Sequence, residues 1–148
     1  MDLENELKSN FTSDYHKAYL NMLYTNYCIQ QESKEYFNKY GITPQQFNVL
    51  RILRGSAPTT CSINDIKERI MDKSSDVSRI VTRLLSKDLI SKKIKKEDKR
   101  VSELTLSEAG FKLLEKIDET ISFFEGRMQK LSDEEVKLLN QLLDKLRS

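Results

Sequence analysis

Serine, threonine and arginine side chains recur at helical spacing in the middle of the chain. Between Ser74 and Ser86, one face of a helix would carry Ser75, Ser78, Arg79, Thr82, Arg83 and Ser86. These side chains are short or forked hydrogen-bonding groups, which are the types that recognise base edges in the major groove of duplex DNA. The pattern therefore predicts recognition of a nucleic acid by hydrogen bonding.

The opposite face of the same segment is apolar. Its residues follow the i, i+3, i+4, i+7, i+8 spacing of an amphipathic helix, and they are Val77, Ile80, Val81, Leu84 and Leu85. A β-hairpin is predicted to follow, with strands over residues 89–95 and 100–106 and its tip at 97–99. Lys92 and Lys95 on this hairpin are suited to phosphate contacts. A reading helix followed by a basic hairpin indicates a winged helix-turn-helix.

Charge is distributed unevenly along the sequence. The chain has 148 residues and a formal net charge of only +2. Residues 79–100 contain nine Lys or Arg against three acids, or +6, whereas the rest of the chain carries −4. This asymmetry favours a localised anionic partner, of which nucleic acid is the foremost candidate. The alternative is an ordinary solvated lysine-rich surface.

The residues that catalysis or metal binding would need are sparse. His16 is the single histidine, and the sequence has no glycine-rich phosphate loop, HExxH or GxSxG motif. We therefore expect no enzymatic activity, no catalytic residue, no metal and no cofactor. Cys28 and Cys61 lack metal-ligand spacing, and we expect reduced thiols in a cytoplasmic protein. Without an 18-residue apolar run, no membrane partner is expected.

Capping signals and periodicity divide the chain into six predicted helices. The first covers about residues 12–39, the second begins at Thr43 and ends at Gly55, and the third is capped by Ser62. Ser74 is predicted to cap the fourth, which is the reading helix. Ser107 is predicted to cap a long fifth helix, whose buried stripe is Phe111, Leu114, Ile117, Ile121, Phe124 and Met128. A capping box at Ser132 opens the sixth.

The terminal helices carry more apolar surface than a centre of this size can cover. Tyr15, Tyr19 and Met22 mark the first helix, and the sixth repeats its apolar residues in heptad fashion at Val136, Leu139, Leu143 and Leu146, widened by Leu138 and Leu142. We expect a two-fold homodimer in which these helices interlock. The alternative is a monomer with a three-helix side bundle.

Five motifs in order resemble the MarR family of bacterial transcription regulators. They are the helix start 41–50 (GITPQQFNVL), the reading helix 77–84 (VSRIVTRL), the turn 85–90 (LSKDLI), the wing signature 98–100 (DKR) and the segment 106–110 (LSEAG). The similarity covers nearly the whole chain. One departure is Asp88, where the family has a glycine; Asp tolerates left-handed backbone geometry better than most residues.

The resemblance implies roles for the wing and for a cleft. Arg100 is expected to enter the minor groove, Asp98 to orient the wing by pairing with an arginine, and Lys99 to lie beside them at the DNA. Asp98 also suits a plain turn former. Similar proteins bind small aromatic anions in a cleft between helices, which suggests an effector pocket at Tyr27, Phe47 and Arg51.

The sequence as a whole predicts a mainly α-helical protein with a small β-hairpin wing. We expect a single domain over 1–148, with a DNA-binding core over about 42–106 and dimerisation helices over about 10–40 and 107–148. The expected function is regulation of transcription at a pseudo-palindromic double-stranded DNA operator, as a repressor released by an effector. Two alternatives stay open: a regulator that senses oxidants through Cys28 or Cys61, and a winged helix that binds an acidic protein instead of DNA.

Overall fold

The computed structural model describes residues 3–8, 10–94, 102–120, 122 and 126–148. The chain divides into two compact units, Met1–Phe47 and Asn48–Ser148. The described part is mainly helical, with one two-stranded antiparallel sheet. This composition confirms the predicted fold class.

The first unit contains two helices and the start of a third. Helix α1 (Leu3–Leu7) was not predicted, whereas α2 (Asp14–Asn38) lies within the predicted 12–39. Ser13 caps α2 by accepting a hydrogen bond from the His16 backbone N–H. Gly41 follows the helix with a φ of 69°, a left-handed conformation that favours glycine. Phe37, at the buried end of α2, packs on Phe47 with ring centroids 4.3 Å apart.

Helix α3 (Pro44–Ser56) begins where the sequence predicts and ends one residue past Gly55. The Thr43 hydroxyl accepts from the Gln46 backbone N–H, and the Gln46 side chain accepts from the Thr43 N–H, both at 3.1 Å. These two bonds satisfy donors that the first turn of a helix leaves unpaired. Within the second unit, Val49, Leu50 and Leu53 are buried and contribute to its core.

Helices α4 (Ile63–Arg69) and α5 (Val77–Ser86) form the helix-turn-helix, and one predicted cap is wrong. Ser62 caps α4 as predicted, and Asp65 completes a capping box that the sequence analysis does not predict. The cap of α5 is Asp76, whose carboxylate accepts from the Arg79 N–H at 3.0 Å. Ser74 instead donates its hydroxyl hydrogen and its N–H to Asp72 Oδ1 in the preceding turn. The cap of α5 therefore lies two residues later than predicted.

The hairpin consists of β1 (Ile90–Ile94) and β2 (Ser102–Leu106), paired antiparallel with Ile90 opposite Leu106 and Ile94 opposite Ser102. The sequence did not predict a third segment, which joins by a bridge between Cys61 and Leu104. The Cys61 N–H donates to the Leu104 carbonyl at 3.0 Å, and the reverse bond measures 2.7 Å. The root of the wing is thereby attached to the loop before α4.

Helix α6 (Glu108–Asp118) begins after the Ser107 cap as predicted, but its buried face differs from the predicted stripe. Gly110, Leu114 and Ile117 are buried, whereas Phe111 is 38 % exposed. Because successive helical residues are about 100° apart, a face centred on Gly110 places its neighbour at the edge. Met128 lies in a short 3₁₀ helix, Met128–Lys130, and Ile121 and Phe124 lie outside the described residues.

Helix α7 (Asp133–Arg147) starts with the predicted capping box, in which Ser132 and Glu135 exchange hydrogen bonds. None of its side chains is buried. Among the residues that the structure describes, no helix combines the length and the apolar character that a membrane span requires.

Candidate nucleic-acid interface

Helix α5 separates its side chains into a buried and an exposed face. Val77, Val81 and Leu84 are at most 4 % exposed, which confirms the predicted stripe. Ile80 and Leu85 lie at its half-buried edges. The exposed face consists of Ser78, Arg79, Thr82, Arg83 and Ser86. Since the apolar face packs α5 onto the rest of the second unit, the polar face is exposed to solvent.

The two arginines of this face differ in their hydrogen bonding from Arg54 and Arg69, which also belong to the second unit. Arg54 donates two hydrogen bonds to Asp118, at 2.6 and 3.2 Å, and Arg69 donates to the Ser56 hydroxyl at 2.5 Å. Arg79 and Arg83 show no side-chain hydrogen bond and no ion pair within the described ranges. Their guanidinium groups are therefore open to an external acceptor, and each offers a planar fork of N–H donors.

The hydroxyl groups of α5 are partly engaged by the helix itself. Thr82 Oγ1 donates to the Ser78 carbonyl at 3.0 Å, and Ser86 Oγ donates to the Arg83 carbonyl at 2.8 Å. Bonds of this kind orient the side chain along the helix and use its single hydrogen. The oxygens keep lone pairs for acceptance from outside.

The turn before α5 is stabilised by local hydrogen bonds. The hydroxyl and then the backbone N–H of Ser74, which both donate to the Asp72 carboxylate, hold the pKa of that carboxyl below its usual range. Lys73 Nζ donates to the carbonyls of Lys67 and Glu68 at the end of α4. Ser75, predicted on the reading face, lies half-buried in this turn ahead of the helix.

The turn after α5 connects it to the wing. Asp88 adopts the left-handed conformation, with a φ of 55°, at the position where the resemblance expects glycine. Ser107 Oγ donates to the Asp88 carbonyl at 2.7 Å. A Cβ on Gly110 would lie 2.2 Å from the Leu89 carbonyl oxygen, so only glycine permits this approach. The start of α6 is therefore packed directly on the turn that orients the wing.

The described part of the wing is basic and solvated beyond its root. Ile90 is buried, and residues 91–94, which include Lys92 and Lys93, are all exposed. Alternation along a strand would turn two neighbouring lysines to opposite faces, but here both faces are open. Lys93, which the sequence reasoning did not select, is thus as accessible as Lys92. The predicted residues Lys95, Asp98, Lys99 and Arg100 lie outside the described residues.

The residues predicted for an effector pocket have different environments. Tyr27 on α2 is 57 % exposed and stacks on Tyr24 with centroids 6.4 Å apart. Phe47 is buried, and Arg51 is exposed on α3. Within the first unit, a hydrogen bond to the Glu6 carboxylate raises the pKa of Tyr24 to about 12. The predicted pocket itself stays a prediction.

Both cysteines are free thiols, and no metal cluster is seen in the described ranges. Cys28 is half-buried on α2, and Cys61 is buried with its Sγ 3.1 Å from the Ser56 hydroxyl. No three His, Cys, Asp or Glu side chains of the described residues come together as a metal site requires.

Comparison with known proteins shows similarity to one family of regulators. The sequence profile of the MarR family matches residues 42–102, which cover α3 to the start of β2. The HTH-type transcriptional regulator MhqR of Bacillus subtilis is 28% identical over 128 residues, which cover 80% of this chain and 81% of MhqR.

Solved structures show the same fold. A MarR transcription factor from Planctomyces limnophilus is 29% identical, with a TM-score of 0.71 over 91% of this chain and 98% of its own. The S. aureus MepR–DNA complex is 24% identical, with a TM-score of 0.76 over 93% and 97%. The organohalide-sensing regulator RdhR in its 2,4-dichlorophenol-bound form is 21% identical, with a TM-score of 0.78 over 91% and 80%. In its motifs, its winged-helix architecture and these matches, the chain is similar to the MarR family of winged helix-turn-helix transcriptional regulators.

Proposed function

We propose that this protein is a homodimeric repressor that binds a pseudo-palindromic operator in double-stranded DNA and is released by a small aromatic anion. The observation that carries the proposal is the exposed face of α5, where Arg79 and Arg83 have no side-chain partner among the described residues. An arginine fork open to solvent matches the O6 and N7 acceptors of guanine in the major groove.

The two basic elements have different tasks in this proposal. Helix α5 enters the major groove and reads bases with Ser78, Arg79, Thr82 and Arg83. The exposed lysines of the wing, among them Lys92 and Lys95, contact phosphates and add affinity without sequence preference. Arg100 enters the minor groove, Asp98 orients the wing, and Lys99 lies beside them at the DNA. MepR, whose structure includes DNA, has this fold and supports the arrangement.

Dimerisation is proposed because a helix with a largely apolar face remains uncovered. Leu138, Leu142 and Leu146 of α7 are 50–67% exposed, and α2 exposes Tyr15, Tyr19 and Met22. Large apolar side chains that are exposed along one helix are typical of a protein contact. A two-fold dimer would cover it and would match a palindromic operator, since the symmetry of the site mirrors that of the protein.

Binding to duplex DNA at several salt concentrations tests the function. We expect Arg79→Ala and Arg83→Ala each to weaken binding to a selected operator by about 1–3 kcal/mol and to relax its sequence preference. Lys92→Ala should weaken binding to all sequences alike and flatten the salt dependence. Lys112→Ala, which removes an exposed cation of α6, is the charge-matched control.

The same experiment separates the proposal from a winged helix that binds an acidic protein. Such a protein would bind random and selected duplexes equally weakly, and Arg79→Ala would not change its sequence preference. That outcome would overturn the proposed function. As a transcription factor, the protein has no proposed enzymatic role, and we place it in the cytoplasm with the DNA it regulates.

An effector is proposed by analogy with RdhR, whose structure holds 2,4-dichlorophenol. Tyr27, Phe47 and Arg51 are the residues proposed to bind an aromatic anion, with the arginine pairing its charge. Release of the protein from its operator by substituted phenols and benzoates, lost in Arg51→Ala, is the expected result. Oxidant release through Cys28 or Cys61 is the alternative, and mass spectrometry after peroxide treatment would detect it.

A further inference from the structure

Among the five exposed residues of α5, Thr82 is the only one that carries a methyl group. It lies at the middle of the exposed face, four residues after Ser78 and four before Ser86. Residues three and four apart are neighbours on a helix surface, so Thr82 lies beside Ser78, Ser86 and the open arginine Arg79. A methyl group at the centre of a polar reading face needs an explanation that hydrogen bonding alone does not give.

The hydroxyl of Thr82 is oriented by the helix. Oγ1 donates its hydrogen to the Ser78 carbonyl at 3.0 Å, one turn earlier. Because a hydroxyl has one hydrogen, this bond leaves Thr82 with acceptor lone pairs and a methyl group but no donor. The branched side chain has few rotamers in a helix, so holding the oxygen against the backbone also holds the methyl in a defined position.

We propose that Thr82 is a specificity-determining residue, whose methyl group contacts the C5-methyl of a thymine in each half-site of the operator. Thymine is the base that presents a methyl group in the major groove, and apolar contact is the way in which a threonine methyl recognises it. Arg79 and Arg83 are proposed to donate hydrogen bonds to guanine. The exposed face of α5 would then recognise one base by hydrogen bonding and another by apolar contact. This inference rests on the proposed DNA-binding function.

The test removes one methyl group from each side of the contact. The probe is the duplex that the wild-type chain selects from random sequences, with each thymine replaced in turn by deoxyuridine, which lacks only the C5-methyl. Thr82→Ser removes the protein methyl and keeps the hydroxyl, whereas Thr82→Val keeps a methyl and removes the hydroxyl. Thr59→Ser, the same change at an exposed loop residue, is the matched control.

One symmetric pair of thymines should respond. We expect deoxyuridine there to weaken wild-type binding about fourfold in each half-site, which corresponds to about 0.8 kcal/mol for one buried carbon. Thr82→Val and Thr59→Ser should show the same penalty. Thr82→Ser should bind the unmodified duplex more weakly and show no further loss with deoxyuridine. Circular dichroism of each variant checks that α5 is folded.

Two results would overturn the inference, and only the second of them would also overturn the proposed function. If the deoxyuridine penalties are identical in wild type and Thr82→Ser, the methyl contact is wrong while the proposed function stands. If the wild-type chain selects no duplex over random DNA, the proposed function fails and the inference fails with it.

Discussion

Helices α5 and α7 are both amphipathic, but their apolar faces have opposite environments. In α5 the apolar residues Val77, Val81 and Leu84 are at most 4 % exposed, and the polar face is turned to solvent. In α7 no residue is buried, and Leu142 and Leu146 are 50 % and 67 % exposed. Periodicity predicts both helices equally well, yet only α5 has its apolar face buried within the chain. In α7 the heptad residues Val136, Leu139 and Leu143 are half-buried, and the neighbouring leucines are exposed.

The difference indicates two kinds of surface. Burial of the exposed leucines of α7 lowers the free energy because it removes apolar surface from water, so their partner has to be apolar. A second copy of the same helix is such a partner. The exposed face of α5 carries open arginines and hydroxyls, which require charged and polar acceptors. The same secondary structure thus presents a surface for self-association at one place and for nucleic acid at the other.

The largest expected effect distinguishes the buried from the uncovered leucines. Leu84→Ala removes a fully buried side chain and should lower the free energy of unfolding by about 2–5 kcal/mol, through lost burial and a residual cavity. The loss should be the same at all protein concentrations. Urea denaturation at two concentrations measures it. A cost below about 1 kcal/mol would show that α5 is less firmly packed than its burial indicates.

The second prediction concerns α7. Replacing Leu138 and Leu142 by glutamine keeps helix propensity and removes apolar surface, so we expect dissociation to a monomer in sedimentation experiments. The unfolding midpoint should also lose its dependence on protein concentration. Lys137→Gln, on the polar side of α7, is the control and should remain dimeric.

If the double leucine variant sediments as the wild type does, the contrast between the two helices is wrong. The exposed face of α7 would then be an ordinary surface, and the dimer would have to form elsewhere.

The smallest effect concerns the turn that separates α5 from the wing. At Asp88, with a φ of 55°, left-handed strain costs an L-residue about 1–2 kcal/mol, whereas the entropy cost of glycine is about 0.5–1 kcal/mol. Asp88→Gly should therefore raise the free energy of unfolding by roughly 0.5–1 kcal/mol. Asp88→Asn removes the charge and tolerates the same backbone, so it should leave stability nearly unchanged. If Asp88→Asn raised the free energy of unfolding more than Asp88→Gly does, the gain would come from removal of the charge and not from relief of backbone strain.

Much of the fold could be predicted because helix starts depend on residues three positions apart. Thr43 with Gln46 and Ser132 with Glu135 form the capping boxes that the sequence predicts, and Ser62 caps α4 as predicted. The predicted start of α5 is wrong because the sequence analysis names Ser74 alone, whereas Asp76 lies two residues later and is an equally favourable capping residue. The Asp76 carboxylate accepts from the Arg79 N–H and so begins the helix.

The candidate site was predicted in outline. The exposed set from Ser78 to Arg83 follows from helical periodicity alone, because a 3.6-residue repeat fixes which side chains share a face. The exposure of Lys93 does not follow, because strand alternation assumes that one face of the hairpin is covered.

The sequence by itself determined where the helices lie, which faces are apolar and where positive charge concentrates, since these depend on neighbours within one or two turns. Only the tertiary structure decided that Arg54 is engaged by Asp118, 64 residues away, while Arg79 and Arg83 stay open. It likewise decided that Cys61 pairs with Leu104 and that Phe111 is left at the edge of its helix. These outcomes depend on contacts between segments that are distant along the chain, and packing alone brings such segments together.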